Sequence, residues 1–287
     1  MITVTNDNFD LDQICESGQC FRMSRFDEGT YRVISDDKIL YLSQERNEIR
    51  FFCPEEEYEG YWKHYFDLET DYGRFIKAID PADNYMVEAA ASCSGMRILN
   101  QNLWEMIVTF LISQQNNIKR ITKCVENICA AYGEKIVVEP NRELKEALPL
   151  VPEKIEYHAF PKPEAMCDLE DDALMACNLG YRSKYVVRAA KTVVSGEYVL
   201  DDLWDLDYDE SMAKLKELCG VGDKVANCIC LFALHHIDAF PIDTHIKQIL
   251  AAHYPGGFPF SRYQGFCGVM QQYMFYHKIL GNCETLR

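Results

Sequence analysis

A change of hydrophobic period about a third of the way along the chain limits the fold more than any other feature. From Thr30 to Cys53, the segments TYRVI, ILYLSQ and IRFFC alternate apolar and polar residues around the charged turns DDK and ERNE. That is the pattern of an antiparallel strand meander. From Asn102 onward the period is helical, as in LWEMIVTFLISQ and IKRITKCVENICAAYG, the second ending in a glycine suited to a helix C-cap. The expected fold is therefore α+β, with an N-terminal antiparallel sheet domain over residues 1–95 and a mainly helical region over 96–287. The stretch 140–163, with five prolines and mixed charge, reads as a long connection. At 287 residues the chain can bury a full core without metal or disulfide staples.

Composition narrows the function classes. The 13 cysteines are odd in number and form no Cys-x-x-Cys pair, so neither a zinc tetrad nor a closed disulfide framework fits. Reduced, mostly buried thiols are expected. Only Cys267 and Cys283 lie near the C-terminus, too few for an iron–sulfur cluster, so none is expected. The longest uncharged apolar run, near residues 225–234, is about half a membrane span. The N-terminus is acidic where a secretion signal would be basic. These features, with no basic import cluster, lead to the expectation of a prokaryotic cytoplasmic protein that does not contact membranes.

With 29 basic and 45 acidic residues the net charge is −16, which disfavours a polyanionic partner. The distribution softens this objection. Residues 1–95 carry 9 Lys and Arg against 20 Asp and Glu, whereas residues 96–287 carry 20 against 25.

The segment LKELCGVGDKVANCICLFAL reads as a helix, a turn on Gly220-Val221-Gly222 and a second helix, together spanning about 211–235. Glycines one residue apart let backbone N–H groups approach a phosphate at a helix N-terminus. A purely structural helical hairpin is the alternative. Lys224 falls in the first turn of the second helix, where the helix dipole disfavours a cation and favours loss of the proton. A neutral lysine can attack an electrophilic carbon and form a Schiff base. Nineteen residues on, in AFPIDTHIKQIL, Asp243 stands at the expected cap of another helix.

Four segments together carry a resemblance: Ser17-Gly18-Gln19-Cys20-Phe21-Arg22, Ile112–Thr122 (ISQQNNIKRIT), Leu179–Val186 (LGYRSKYV), and the hairpin with its downstream Asp243. They resemble the 8-oxoguanine DNA glycosylase/AP lyase branch of the helix-hairpin-helix (HhH-GPD) base-excision superfamily. The resemblance implies a bifunctional enzyme that excises 8-oxoguanine from duplex DNA through a lysine Schiff base and then cleaves the strand by β-elimination. Lys224 would be the nucleophile at C1′ of the sugar, and Asp243 would stabilise the cationic sugar and assist proton movements. Gly18 would offer its carbonyl to the N7–H that 8-oxoguanine has and guanine lacks. Cys228, Phe232 and Phe275 would line the base pocket, with Gln271 reading the Watson–Crick edge. Asn116 and Tyr181 would fill and wedge the gap left by the flipped base, and Arg120 and Arg182 would contact the orphaned cytosine. Gly220, Gly222 and His245 would complete the DNA contacts. Backbone carbonyls of Lys216, Leu218 and Val221 would hold a structural cation, while catalysis would need no cofactor. The implied partner is double-stranded DNA carrying 8-oxoguanine, preferably opposite cytosine, bound by a monomer.

The chain also departs from the family pattern, with Cys219 where a proline is common, Asn227 where relatives often have Asp, and Gln115 in place of a loop Asn. Two other functions compete. An alkylated-base glycosylase of the same superfamily would generally lack the lysine, and a non-catalytic hairpin DNA-binding module would need neither Lys224 nor Asp243.

Overall fold

Five antiparallel strands form the N-terminal sheet: β1 (Ile2–Thr5), β2 (Met23–Asp27), β3 (Thr30–Ser35), β4 (Lys38–Glu45) and β5 (Glu48–Phe51), in spatial order β1-β5-β4-β3-β2. The structure, a computed structural model, describes residues 1–284 and the side chains of residues 1–281. Cys283, one of the two C-terminal thiols, lies outside the described side chains. Cross-strand partners Tyr31 and Leu42, Val33 and Leu40, and Leu42 and Phe51 set the register. All are almost fully buried, and with Phe9, Leu11, Trp62 and Phe66 they fill the core of this part. The meander matches the alternation in the sequence. β1 and β2 are additional strands that close its two edges.

The rest of the described chain is mainly helical. Its principal helices are α1 (Leu11–Glu16), within the sheet part, α2 (Asn84–Ser92), α3 (Leu103–Ile112), α4 (Ile118–Tyr132), α5 (Ser183–Val194), α6 (Tyr208–Leu215), α7 (Asp223–Phe232), α8 (Thr244–His253) and α9 (Cys267–Glu284). α3 is buried along its whole length, which explains its continuous apolar run. It lies at the centre of a core shared with α4, α5, α7 and α9. No described helix is long and apolar enough to cross a membrane. The described cysteines are free thiols, most of them buried.

The stretch 140–163 is not a bare connection. β6 (Lys135–Val138) pairs with β7 (Ile155–His158), and a helix, Arg142–Ala147, lies between them. Leu144, Leu148, Val151, Ile155 and Tyr157 cover Tyr41 and Phe52 on the second face of the N-terminal sheet. This accounts for the uninterrupted ILYL of β4, since a strand covered on both faces need not alternate.

Buried polar side chains tie the sheet part to the helices. The Gln19 amide donates to the Arg97 carbonyl at 2.8 Å and accepts from Leu99 N–H at 2.9 Å. Gln101 donates from its side chain to the Gln19 carbonyl and from its backbone to the Phe232 carbonyl, each at 2.9 Å. The loop holding Gly18 is thereby fixed to the end of α7. Arg22, the last residue of the N-terminal motif, pairs with buried Glu105 at 3.6 Å. Burial raises the Glu105 carboxyl despite that guanidinium.

Candidate active site

The hairpin is built as its spacing predicts: α6, a turn, then α7 starting after Gly222. The turn closes through Val221 N–H on the Leu218 carbonyl at 3.0 Å, and both side chains are buried. The two glycines differ in purpose. Gly220 has φ +91°, and a Cβ there would meet the Tyr185 ring at 2.5 Å. Gly222 has φ −105° and open space around its missing Cβ. The first glycine is needed by the fold, whereas the second keeps the approach to the helix N-terminus clear.

Lys224 lies in the first turn of α7, with its Nζ 3.3 Å from Ser113 Oγ and 5.3 Å from the centre of the Phe110 ring. No carboxylate pairs with it among the described residues. Asp243 caps α8, its Oδ1 accepting from Ile246 N–H at 2.8 Å. Asn227 links the two elements. Its side chain donates to the Asp223 carbonyl at 2.9 Å and accepts from Tyr208 Oη at 2.8 Å and from Phe240 N–H at 3.1 Å. The residue at which the sequence departs from the family pattern thus braces the segment leading to Asp243.

Lys224 and Asp243 both line an open cavity of about 820 Å³ and a deeper one of about 60 Å³. The deeper cavity also meets Gly18, Cys228, Phe232, Gln271 and Phe275, so every residue expected to form the base pocket shares one small space. That space is smaller than a two-ring base, and Phe275, only half-buried, forms one of its walls. Gly18 has φ +74°, which calls for glycine, and a Cβ there would sit 3.2 Å from both Phe275 and Ile118, crowding their side chains. No described hydrogen bond ends on the Gly18 carbonyl, whereas the neighbouring Ser17 carbonyl accepts from Gln272 at 2.7 Å. Gln271 is buried, yet its side-chain oxygen has no partner. An unpaired buried acceptor is costly unless a ligand supplies the donor. Burial pushes the Cys228 thiol up, opposed by the Lys224 charge beside it. The cavity is therefore lined by a neutral thiol, three aromatic rings and an unpaired amide oxygen.

The outer rim is more varied. Tyr181 is 48% exposed, as a wedge must be. Arg120 is exposed, with a long bond of 3.5 Å to the Asn178 carbonyl and the Cys124 thiol beside its guanidinium. His245 packs its ring edge-to-face on Phe275 at 5.7 Å and leaves Nδ1 unpaired. Two of the expected DNA contacts are turned inward. Arg182 is 4% exposed and donates to the carbonyls of Gln114, Gln115 and Leu179. Its guanidinium clamps the loop before α4. Asn116 folds back on the Ile112 carbonyl at 3.1 Å and accepts from Asn117 N–H. Its neighbour Gln115 is exposed at φ +47° and forms the tip of that loop. Gln115 and Ser113 lie inside the quoted ISQQNN motif, and only the folded geometry separates their duties from those of Asn116.

No three described His, Cys, Asp or Glu residues are placed to hold a metal ion. Of the three hairpin carbonyls expected to hold a cation, that of Leu218 already accepts one hydrogen bond and keeps a second lone pair.

Comparison with known proteins agrees with this geometry. Residues 1–107 match the 8-oxoguanine DNA glycosylase N-terminal domain, and residues 108–256 match the HhH-GPD superfamily of base excision DNA repair proteins. The chain is 27% identical to an N-glycosylase/DNA lyase of Saccharomyces cerevisiae, covering 85% of this chain and 68% of that one. It is 26% identical to a probable N-glycosylase/DNA lyase of Methanothermobacter thermautotrophicus, covering 87% and 84%. Its fold superposes with a TM-score of 0.87 on the Clostridium acetobutylicum 8-oxoguanine glycosylase/lyase, solved with double-stranded DNA bearing cytosine opposite 8-oxoguanine, at 28% identity over 98% and 99% of the two chains. With both family domains in order and a lysine and a carboxylate lining one cavity, the chain belongs to the HhH-GPD superfamily of base excision DNA repair proteins, in its 8-oxoguanine DNA glycosylase branch.

Proposed function

We infer that this protein is a bifunctional DNA glycosylase and AP lyase that removes 8-oxoguanine from duplex DNA. The observation that carries the reading is the convergence of Lys224, Asp243, the free Gly18 carbonyl and the unpaired Gln271 oxygen on one cavity. The damaged base must leave the duplex to reach it. There, the Gly18 carbonyl accepts the N7–H of the lesion, and Gln271 accepts from the N1–H and N2–H₂ donors of the guanine edge.

As the bond from C1′ to the base breaks, its electron pair leaves with the base, which takes up a proton. The Lys224 amine forms the new bond to C1′, and Asp243 stabilises the positive charge developing on the sugar. Ring opening and loss of the amine proton give the Schiff base. Removal of a C2′ proton then expels the 3′ phosphate by β-elimination. These steps use the chain's own side chains and need no cofactor. A cation on the carbonyls of Lys216, Leu218 and Val221 would fix the hairpin turn against DNA phosphates.

On the opposite strand, Arg120 reads cytosine and Tyr181 fills the stack, with Gln115 rather than Asn116 entering the gap. Arg182 holds the loop that presents Gln115. The protein acts on DNA as a monomer. Incubation with duplexes carrying single defined lesions tests the activity: 8-oxoguanine should be released opposite cytosine, and borohydride should trap a covalent adduct. Lys224→Gln should abolish trapping and leave DNA binding in place. Release of alkylated bases alone, or trapping by Lys224→Gln, would overturn the reading.

A further inference from the structure

Among the described residues the Lys224 amine meets two polar side chains, the Ser113 hydroxyl at 3.3 Å and the Cys228 thiol. That hydroxyl gives its own proton to the Phe110 carbonyl at 2.8 Å. Ser113 therefore faces the amine with lone pairs alone and serves purely as an acceptor. The Phe110 ring forms the wall beneath Nζ and is itself stacked on Phe232, with centroids 5.6 Å apart. Ser113 is also unusually well fixed. Its N–H closes the end of α3 on the Thr109 carbonyl at 2.9 Å. Immediately after it, the Arg182 guanidinium grips the carbonyls of Gln114 at 2.7 Å and Gln115 at 2.9 Å.

We propose that Ser113 is the positioning residue for the nucleophile, holding Lys224 Nζ on the α3 side of the cavity and away from the Asp243 carboxylate. The proposal rests on reading Lys224 as the nucleophile. A lysine amine sits on a flexible four-carbon stem, and Asp243 lines the same two cavities. If the amine settled on that carboxylate it would stay an ammonium with no free electron pair, and the carboxylate would be lost to the sugar. With one direction of the tetrahedral nitrogen committed to Ser113, one to the Cys228 thiol and one to Cε, a single direction is left for the sugar in the cavity that Lys224 lines. Ser113 thus keeps the two reacting groups of the site apart until a sugar lies between them.

A serine at a helix end that bonds the carbonyl three residues back can be merely a local cap. The two roles differ in what the hydroxyl's loss does. Ser113→Ala and Ser113→Thr should be compared with wild type and with Lys224→Gln. Schiff-base trapping should be timed on an 8-oxoguanine duplex and on a pre-formed abasic site from pH 6 to 9, together with DNA affinity and thermal stability. Loss of one hydrogen bond to the amine predicts trapping slowed roughly tenfold to a hundredfold on both substrates in Ser113→Ala, with affinity and stability unchanged. The pH dependence of trapping should move with it, and Ser113→Thr should recover most of the rate. Wild-type trapping by Ser113→Ala would overturn the proposal. So would a deficit that follows DNA affinity or stability and that Ser113→Thr fails to rescue. Trapping that survives in Lys224→Gln would instead refute Lys224 as the nucleophile, so the two failures are distinguishable.

Discussion

Asp243 caps α8 with one carboxylate oxygen and also lines the cavity, so on the proposed reading structural and chemical duties meet in a single side chain. Asparagine caps a helix about as well as aspartate. Asp243→Asn should therefore leave the melting temperature nearly unchanged while slowing base release by about 3 kcal/mol, roughly a hundredfold, because the amide cannot stabilise a cationic sugar. Single-turnover excision alongside thermal unfolding checks this; an unstable variant that is fully active per folded molecule would make Asp243 a cap and nothing more. Arg120 is the converse case, an exposed side chain with few structural ties. Its donors suit the O2 and N3 acceptors of an unpaired cytosine. Arg120→Ala should narrow the preference for cytosine over adenine by roughly tenfold to a hundredfold and leave lyase chemistry on an abasic site intact. Equal weakening against all four opposing bases would make Arg120 a phosphate contact instead.

At the scale of elements, the hairpin separates two kinds of glycine. Gly220→Ala forces a left-handed φ on a side chain and drives it into the Tyr185 ring, so it should lower both thermal stability and DNA affinity. Gly222→Ala meets no protein atom and should spare stability while weakening DNA binding, since its methyl group projects where a phosphate would approach. Melting curves and salt-dependent affinities of the two variants test the distinction; a stability loss in Gly222→Ala as large as in Gly220→Ala would erase it. The hairpin, Lys224 and Asp243 are legible in the sequence because glycine spacing, helix caps and apolar periodicity are local signals. Gln271 and Phe275 are legible as one face of α9 for the same reason. The inward turn of Arg182 is not, because its principal acceptor, the Gln114 carbonyl, lies 68 residues away. The pairing of β6 with β7 is hidden in a proline-bearing stretch that takes shape only against the second face of the sheet. Ser113 reads as one more polar residue of a motif until the fold brings Lys224 beside it from 111 residues away.

Across the whole molecule, the joint between sheet and helices rests on buried polar groups more than on a continuous apolar seam. Arg97, 1% exposed, donates to the carbonyls of Phe66, Asn8, Asp67 and Thr70 and lies over the Tyr72 ring at 4.1 Å. Next to it, the Asp67 carboxylate accepts from Thr70 Oγ1 at 2.8 Å and from Tyr72 Oη at 2.9 Å, and Tyr72 Oη in turn accepts from Ile98 N–H at 2.8 Å. The His235 ring approaches the same carboxylate at 3.3 Å but without the alignment of a hydrogen bond. Burial alone would raise the Asp67 carboxyl, yet His235 and the two hydroxyls outweigh it and hold the group below its ordinary value. A carboxyl that ionises more readily folded than unfolded stabilises the fold fully above the unfolded value, about 3.9, and loses that contribution as pH falls through the lower folded one. Asp67→Asn should cost about 1–3 kcal/mol at neutral pH, because Thr70 and Tyr72 donate to different carboxylate oxygens and an amide replaces one of them with a donor. The gap between wild type and variant should then begin to close as pH drops below about 4, where the unfolded carboxyl takes up its proton, and go on closing as pH falls through the lower folded value. Urea unfolding of both proteins from pH 3 to 8 measures it. A gap that stays constant through the acid range would place the stabilisation in shape and hydrogen bonding alone, with no share from the charge on Asp67.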